Sequence, residues 1–139
     1  MTGTVVPNEV RVALREGPLV GPVLSRVVGM LAARALCPVD RLDEALLLAD
    51  AIAAHAPGHT LDGTLIVTVT TDADTIRLRV GPLREDGAEA VLADATLPGV
   101  GNVLERVADA LVTERSDNGN GEELRLEIAF ASRSAATPG

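Results

Sequence analysis

The sequence contains a single cysteine, Cys37, among its 139 residues. One cysteine cannot form an internal disulfide and is too few for the common zinc-binding motifs. Tryptophan and tyrosine are absent, and Phe130 is the only phenylalanine. The chain therefore lacks the aromatic platforms on which single-stranded nucleic-acid bases usually stack.

Lysine is also absent, so all twelve basic residues are arginines. Together with twenty acidic residues, they give a formal net charge of −8. A chain without lysine can form no lysine Schiff base and has no P-loop lysine. The negative charge argues against a nucleic-acid partner. Apolar runs are too short to cross a bilayer, and no secretory signal is visible. We predict a cytoplasmic protein that binds neither nucleic acid nor membrane.

Apolar residues make up 47% of the chain, which fits one folded domain of this length. We place this domain at residues 9–130, between a flexible lead (1–8) and a flexible tail (131–139). Apolar periodicity predicts strands at 9–15, 64–71, 75–80 and 122–130, and helices at about 21–36, 40–56 and 101–113. This order predicts an α+β two-layer sandwich with helices on one face of a mixed, mostly antiparallel sheet.

The second predicted helix, DRLDEALLLADAIAAHA at residues 40–56, carries one carboxylate through a run of leucine, isoleucine and alanine at residues 45–54. Asp40 is the predicted N-cap, and the leucines and alanines are numerous enough to bury the helix on most sides. Asp50 is the exception, because a carboxylate in such a run needs solvent or a partner. It is either an ordinary surface acid or an acid that lines a pocket.

We predict that residues 81–99 form a long connection rich in glycine and proline, with at most one loose helical turn at 88–93, which is typical of a lid or binding loop. At its end, Gly99 and Gly101 precede a predicted helix whose backbone amides could bind phosphate. A simple helix entry explains these glycines equally well.

Two weaker patterns suggest metals. His55 and His59 are four residues apart, but Pro57-Gly58 between them prevents a shared helical face, so we interpret them as loop histidines. Residues 117–121 resemble the start of a calcium loop, but Ile128 occupies the position that requires a carboxylate. We predict a turn there and no metal site.

The whole pattern over residues 9–130 resembles the small anti-sigma-factor serine kinases of bacteria, which belong to the GHKL ATPase superfamily and have the Bergerat fold. The leading strand and helix, RLDEALLLADAIAAHA, the hairpin, the variable loop, LPGVGNVLERVADAL and the final strand carry this resemblance. It implies a Glu-x-x-x-Asn motif on the second helix, with Glu as general base and Asn as magnesium ligand. It also implies an Asp at a strand end that binds the adenine amino group, and a GxG motif that begins the helix behind the lid.

The family's motif positions are only partly kept in this chain. Asp50 stands at the Glu position and could still accept a proton, whereas Ala54 stands at the Asn position and cannot bind magnesium. Gly81 stands where the adenine-reading Asp belongs, unless Asp86 replaces it in a shifted loop.

The glycine motif is the better preserved part. Gly99 and Gly101 keep its glycines, and Asn102 follows them. The chain therefore keeps much of the nucleotide site's outline and loses most of its chemistry.

These features lead to three hypotheses. The first is a regulatory module that needs no cofactor, binds a sigma factor or the antagonist of such a switch, and forms a homodimer as the resemblance implies. The second is an active serine/threonine kinase that uses ATP and magnesium, with Asp50 as base. The third is an interaction domain unrelated to sigma control.

Overall fold

A computed structural model describes residues 8–99, 101–115 and 121–130 of the chain. Its strands and helices are, in order, β1 (Asn8–Arg15), α1 (Val20–Arg34), α2 (Val39–His55), a 3-10 helix (Pro57–His59), β2 (Thr64–Thr71), β3 (Thr75–Leu83), α3 (Gly87–Asp94), β4 (Thr96–Leu97), β5 (Gly101–Asn102), α4 (Val103–Val107), β6 (Ala110–Arg115) and β7 (Glu122–Ala129). Residues 1–7 of the predicted lead, the predicted tail and residues 117–120 of the predicted turn lie outside the described residues, whereas Asn8, which we assigned to the lead, begins β1.

Five strands form one antiparallel sheet in the order β1-β2-β3-β7-β6, and β4 and β5 form a separate small hairpin. Along β2, buried residues alternate with partly exposed ones, because successive side chains of a strand point to opposite faces. The helices α1, α2 and α3 cover the buried face. The predicted α+β class is therefore confirmed.

The core lies between this sheet face and the helices. Val69, Leu78 and Leu126 are neighbours across three adjacent strands and are at most 1% exposed. Leu24 of α1 and Leu48 of α2 are fully buried against the same face. Full burial of each such side chain contributes about 1.5–3 kcal/mol, so the central strands and the two long helices supply most of the stabilising contact.

The helices α1 and α2 pack antiparallel to each other through small residues. A Cβ on Gly21 would lie 3.8 Å from the Cβ of Ala53, and one on Gly29 would lie 3.9 Å from Leu46 Cδ2. The helix α2 begins at Val39 after Pro38, and no side chain caps it, so the prediction that Asp40 is the N-cap is wrong. Leu47 is 51% exposed, because the outer side of α2 faces solvent.

The predicted helix at 101–113 is also wrong beyond residue 107. The helix α4 has only five residues, and Ala108 has extended backbone angles. The chain then forms β6, in which Leu111 lies opposite Leu126 and Thr113 lies opposite Leu124 of β7. Pairing satisfies backbone groups along an edge of β7 that would otherwise be open.

Residues 81–99 do not form the predicted lid-like loop. The strand β3 continues to Leu83, and α3 follows with eight residues. Ala88, Val91 and Ala95 are at most 1% exposed. This segment belongs to the packed core because its small apolar residues are buried along one side of a short helix.

The turn between β2 and β3 is held by Asp72. Its carboxylate accepts hydrogen bonds from the backbone N–H of Asp74 (2.8 Å) and of Thr75 (2.9 Å). These bonds, the one from Asp74 above all, hold the pKa of Asp72 below its ordinary value. The turn is therefore most stable above about pH 4, and its contribution falls as pH drops through the lowered pKa.

Arg41 is a buried cation at the start of α2, only 7% exposed. Its Nε donates to the carbonyl of Ala129 (2.9 Å), and its two terminal nitrogens contact the carboxylates of Glu44 and Asp109. Asp109 also accepts from the backbone N–H of Ala129 (2.7 Å). One guanidinium thus joins α2 to the end of β7 and to the residue before β6.

No helix in the described residues is long and apolar enough to cross a membrane.

Replacing Arg41 tests this network. We expect Arg41→Ala to lower the free energy of unfolding by about 3 kcal/mol, because Asp109 loses its cation and the Ala129 carbonyl loses a donor. Arg41→Met should cost nearly as much, since it keeps apolar volume but no charge. The control Asp43→Ala, on the exposed side of the same helix, should change stability by about 0.5 kcal/mol or less. Urea unfolding measures all three, and equal stabilities would contradict the anchoring role.

Candidate functional site

Asp50 lies on the exposed side of α2, next to α1. Its Oδ1 accepts a hydrogen bond from Ser25 Oγ of α1 at 3.2 Å. A single bond between exposed groups contributes little to stability. The structure therefore places this carboxylate at the outer seam between two helices.

Ala54 is exposed one turn after Asp50 on the same helix, so the two positions share a face. The methyl group of Ala54 offers no oxygen to a hard cation such as magnesium, which binds oxygen ligands. This pair of positions thus provides one carboxylate and no second ligand.

Gly81 lies inside β3 and packs against β7. A Cβ at this position would be 2.8 Å from the carbonyl oxygen of Glu122 and 3.2 Å from Glu123 Cγ. The close approach explains why a glycine stands here. It also means that no side chain at Gly81 could reach out to read a base.

Gly99 and Gly101 have φ angles of 78° and 94°, in the left-handed region that favours glycine. Asn102 follows them and uses its whole amide within the fold. Its Nδ2 donates to the carbonyl of Leu92 (2.6 Å), and its Oδ1 accepts from the backbone N–H of Glu105 (3.1 Å). The backbone N–H of Glu105, in the first turn of α4, is therefore already hydrogen-bonded and is not available to a phosphate.

The shifted alternative, Asp86 with Gly87, also has a local explanation. Asp86 is exposed and has a φ of 64° immediately before α3. Gly87 is buried, and a Cβ there would lie 2.9 Å from Leu83 Cβ and 3.1 Å from the carbonyl of His59. Gly87 thus allows α3 to start close to β3.

The candidate residues are only partly brought together. Asp50 and Ala54 share the outer side of α2, and α3 and α4 pack against this helix. Gly99, Gly101 and Asn102 cluster where the β4–β5 hairpin leads into α4. Gly81 lies within β3, packed against β7. In the described parts of the chain, no three His, Cys, Asp or Glu side chains converge on a possible metal position.

His59 makes contacts that the sequence did not reveal. Its Nε2 lies 2.7 Å from Asp94 Oδ2, and its Nδ1 lies 3.0 Å from Arg84 Nη2. A guanidinium can only donate hydrogen bonds, so Nδ1 of His59 is the acceptor. Nε2 therefore carries the hydrogen and donates its hydrogen bond to Asp94. The histidine therefore fastens the 3-10 helix to α3. Its partners are 25 and 35 residues away in sequence, and no local pattern indicates them.

The thiol of Cys37 is free and partly buried. It lies in the α1–α2 connection, within hydrogen-bonding distance of the carbonyl of Pro38 (3.5 Å). Partial burial raises its pKa above the ordinary value. The thiolate, which is the nucleophile, is correspondingly scarce near neutral pH.

The face of the sheet opposite the helices carries charges of both signs on its strands, five arginines and four glutamates: Arg11, Arg15, Arg77, Arg79, Arg125, Glu9, Glu114, Glu123 and Glu127. Ion pairs join Arg77 to Glu127 (2.7 Å), Arg79 to Glu123 (3.2 Å) and Arg125 to Glu114 (2.9 Å). A cavity of about 370 Å³ lies over this face, and another of about 210 Å³ lies between the end of α1 and the β2–β3 turn. None of the candidate nucleotide-site residues lines either cavity.

Much of the excess negative charge is on the helical side. We call its exposed carboxylates on α2 and in or just before α3 the acidic helical surface: Asp40, Asp43, Asp50, Glu85, Asp86, Glu89 and Asp94. Arg84 lies beside them and is bound to His59. These carboxylates are spread along the helical layer, with Asp40 and Asp43 in the first turns of α2 and the α3 group beyond its end, and each contributes a negative potential that salt screens over about 10 Å.

No model of a known protein family matches the chain, and no curated protein is detectably similar to it. The likeness to anti-sigma-factor kinases therefore remains a prediction from the sequence motifs. The geometry described above is the independent basis on which a function can be argued.

Gly81 provides a direct test of the packing explanation. We expect Gly81→Ala to destabilise the fold by about 1–3 kcal/mol, because the new methyl group meets the backbone of β7. Gly58→Ala is the control, since a Cβ there has nothing within 4 Å; it should be neutral or stabilising by up to about 1 kcal/mol. Thermal and urea unfolding measure both variants. Equal effects would show that close packing does not explain the glycine.

Proposed function

We propose that this protein is a non-catalytic, cytoplasmic regulatory module that resembles an anti-sigma factor and binds a sigma factor or its antagonist protein. The observation that carries the proposal is the composition of the exposed face of α2, where Asp50 and Ala54 stand one turn apart. The resemblance would require a base and a magnesium ligand there. The face retains a carboxylate and presents a methyl group in place of the ligand.

Electrostatics supports the loss of nucleotide use. A triphosphate brings several negative charges, which magnesium normally compensates. Here the cation would find no ligand at Ala54, and the phosphates would approach Asp50 and the rest of the acidic helical surface. The Glu105 amide bonds to Asn102 Oδ1 instead of remaining free. Repulsion should therefore outweigh what a few backbone amides contribute.

The same surface favours a basic protein partner. Complementary charge speeds encounter and orients the two proteins, and its effect weakens as salt increases. Regions of sigma factors that face the polymerase core or DNA usually carry basic patches, so they are suitable partners for the acidic helical surface. The open sheet face is less suitable for this role, because it carries one more arginine than glutamate and most of its charges are paired with each other.

A second candidate is the active kinase, and one observation favours it. Gly99 and Gly101 keep left-handed backbone angles, as a glycine motif that approaches phosphates closely would require. In that case Asp50 would serve as the base and magnesium would need ligands other than residue 54. Nucleotide binding separates the two candidates.

A titration of ATP and magnesium into the purified protein is the corresponding experiment. We expect no heat of binding and no change in melting temperature at about 1 mM nucleotide. A site with a Kd of about 10 µM would instead stabilise the fold by about 2.7 kcal/mol and raise Tm by several degrees. Such a result would favour the kinase, and Asp50→Ala should then abolish phosphorylation of the partner.

The partner can be identified by affinity capture from the native cell with two matched variants. One variant neutralises the acidic helical surface with Asp43→Asn, Glu85→Gln, Asp86→Asn and Glu89→Gln. The other removes the same charge away from the helical layer with Glu9→Gln, Glu16→Gln, Asp62→Asn and Asp74→Asn, all of them exposed. We expect the unaltered protein and the second variant to capture a sigma factor or its antagonist, and the first variant to lose at least 90% of it, roughly a tenfold reduction in binding.

Two results would contradict the proposal. Capture of neither protein class by the unaltered chain would favour an interaction domain unrelated to sigma control. Equal loss of capture in both variants would show that net charge, and not the acidic helical surface, governs binding.

A further inference from the structure

Three arginines lie in one row across the open face of the sheet, at right angles to the strands. Arg11 of β1 lies opposite Thr68 of β2, which lies opposite Arg79 of β3. Arg79 in turn lies opposite Arg125 of β7, and Arg125 lies opposite Val112 of β6. We call Arg11, Arg79 and Arg125 the arginine row. Like charges directly across a ladder destabilise strand pairing, so the position of Arg79 beside Arg125 favours an anion near both.

The ion pairs of these two arginines leave the row on the same side. Nη2 of Arg79 lies 3.2 Å from Glu123, and Nη1 of Arg125 lies 2.9 Å from Glu114. Glu114 and Glu123 lie opposite each other in the next row of residues. The two arginine side chains are still 39% and 49% exposed. Both guanidiniums are therefore held from one side and can be reached from solvent.

The cavity of about 370 Å³ lies on the other side of the arginine row. Its charged lining residues are three arginines and two glutamates: Arg77, Arg79, Arg125, Glu9 and Glu127. The lining therefore carries one net positive charge, in a chain whose formal net charge is −8. Glu114 and Glu123 do not line this cavity. Its volume is in the range of small-molecule sites.

The two carboxylates that line the cavity already have partners within it. Glu127 accepts a hydrogen bond from Nε of Arg77 at 2.7 Å, and Glu9 accepts one from Thr70 Oγ1 at 3.1 Å. Arg77 and Glu127 therefore compensate each other's charge. Arg79 and Arg125 are the cations that an anion entering the cavity would meet.

The shape of these groups indicates the class of anion. Each guanidinium is a planar set of N–H donors that binds one carboxylate through two parallel hydrogen bonds. Two guanidiniums side by side thus suit two carboxylates. Neighbouring strands are about 4.8 Å apart, so only a short chain can connect carboxylates bound to both.

The remaining wall of the cavity is aliphatic. Ala110 and Val112 of β6 line it, and Val112 is 49% exposed. No lining residue is aromatic, so a nucleobase would find no ring on which to stack. The wall is suited to a few methylene groups.

We propose that this cavity binds a short aliphatic dicarboxylate, with one carboxylate on Arg79, the other on Arg125 and the carbon chain against Val112. The ligand places negative charge beside two neighbouring arginines and so relieves their repulsion. The inference concerns the sheet face opposite the helices and does not depend on the proposed regulatory function.

Titration of succinate into the isotope-labelled, unaltered chain at constant ionic strength tests the proposal by NMR. We expect saturable shifts with a Kd of about 1 mM or lower. They should be largest at the Nε–H signals of Arg79 and Arg125 and at the amides of Ala110 and Val112. Butyrate has the same number of carbon atoms and one carboxylate fewer, so it should bind at least about tenfold more weakly. Inorganic phosphate is the second comparison and should also bind more weakly.

Two arginine variants of equal charge separate the cavity from the general field. Arg125→Gln should weaken succinate binding at least about tenfold, because one carboxylate loses its paired donors. Arg11→Gln is the matched control, since Arg11 lies in the same row but does not line the cavity; it should change binding by less than about twofold. Both residues are exposed, so neither substitution removes core packing. Arg125→Lys keeps the charge without the planar donor set and should also weaken binding, about fivefold.

Three results would overturn the proposal. The first is the absence of saturable shifts in the unaltered chain at about 10 mM succinate, tenfold above the expected Kd. The second is equal weakening by Arg125→Gln and Arg11→Gln, which would show that net charge governs binding. The third is binding of butyrate or phosphate as tight as that of succinate, which would show that the cavity does not recognise a pair of carboxylates.

Discussion

The buried guanidinium of Arg41 is the constraint on which the arrangement of layers depends. It is the one ionic contact described above that joins the helical layer to the far half of the sheet, through Ala129 and Asp109. Breaking such a network costs more than forming it gains, because a partner charge is left behind with little solvent. Arg41 therefore holds α2 in position as well as stabilising it.

The position of α2 determines what its other residues can do. With Arg41, Ala45, Leu48 and Ile52 buried, the helical repeat turns Asp50 and Ala54 outward. The carboxylate then contacts Ser25 of α1, and the methyl group of Ala54 is exposed. Together with an Asn102 that is fully used in the fold, this geometry favours a surface for protein binding over a site for phosphate chemistry.

The predictable parts of the fold are those with strong local periodicity. The alternation in β1, β2, β3 and β7 and the apolar stripes of α1 and α2 indicate their structure without tertiary information. The strand β6 was missed because Val103, Leu104, Val107 and Leu111 also have helical spacing. Only the presence of β7 beside residues 110–115 favours the extended form.

The candidate site was less predictable than the fold. The positions of Asp50 and Ala54 follow from the helix, but the Arg41–Asp109 and His59–Asp94 contacts span 68 and 35 residues. A single sequence contains no local signal for such pairs. Likewise, nothing near Gly81 indicates that the backbone of β7 lies against it. Long-range contacts of this kind decide which candidates are structural.

The central proposal is that the outer side of α2 takes no part in nucleotide chemistry. Amide hydrogen exchange with and without millimolar ATP and magnesium tests it most directly, because exchange reports on each helix separately. We predict unchanged exchange rates throughout α2 and α3. Protection that nucleotide induces in the second half of α2 and in α3 would contradict the claim and restore the kinase interpretation.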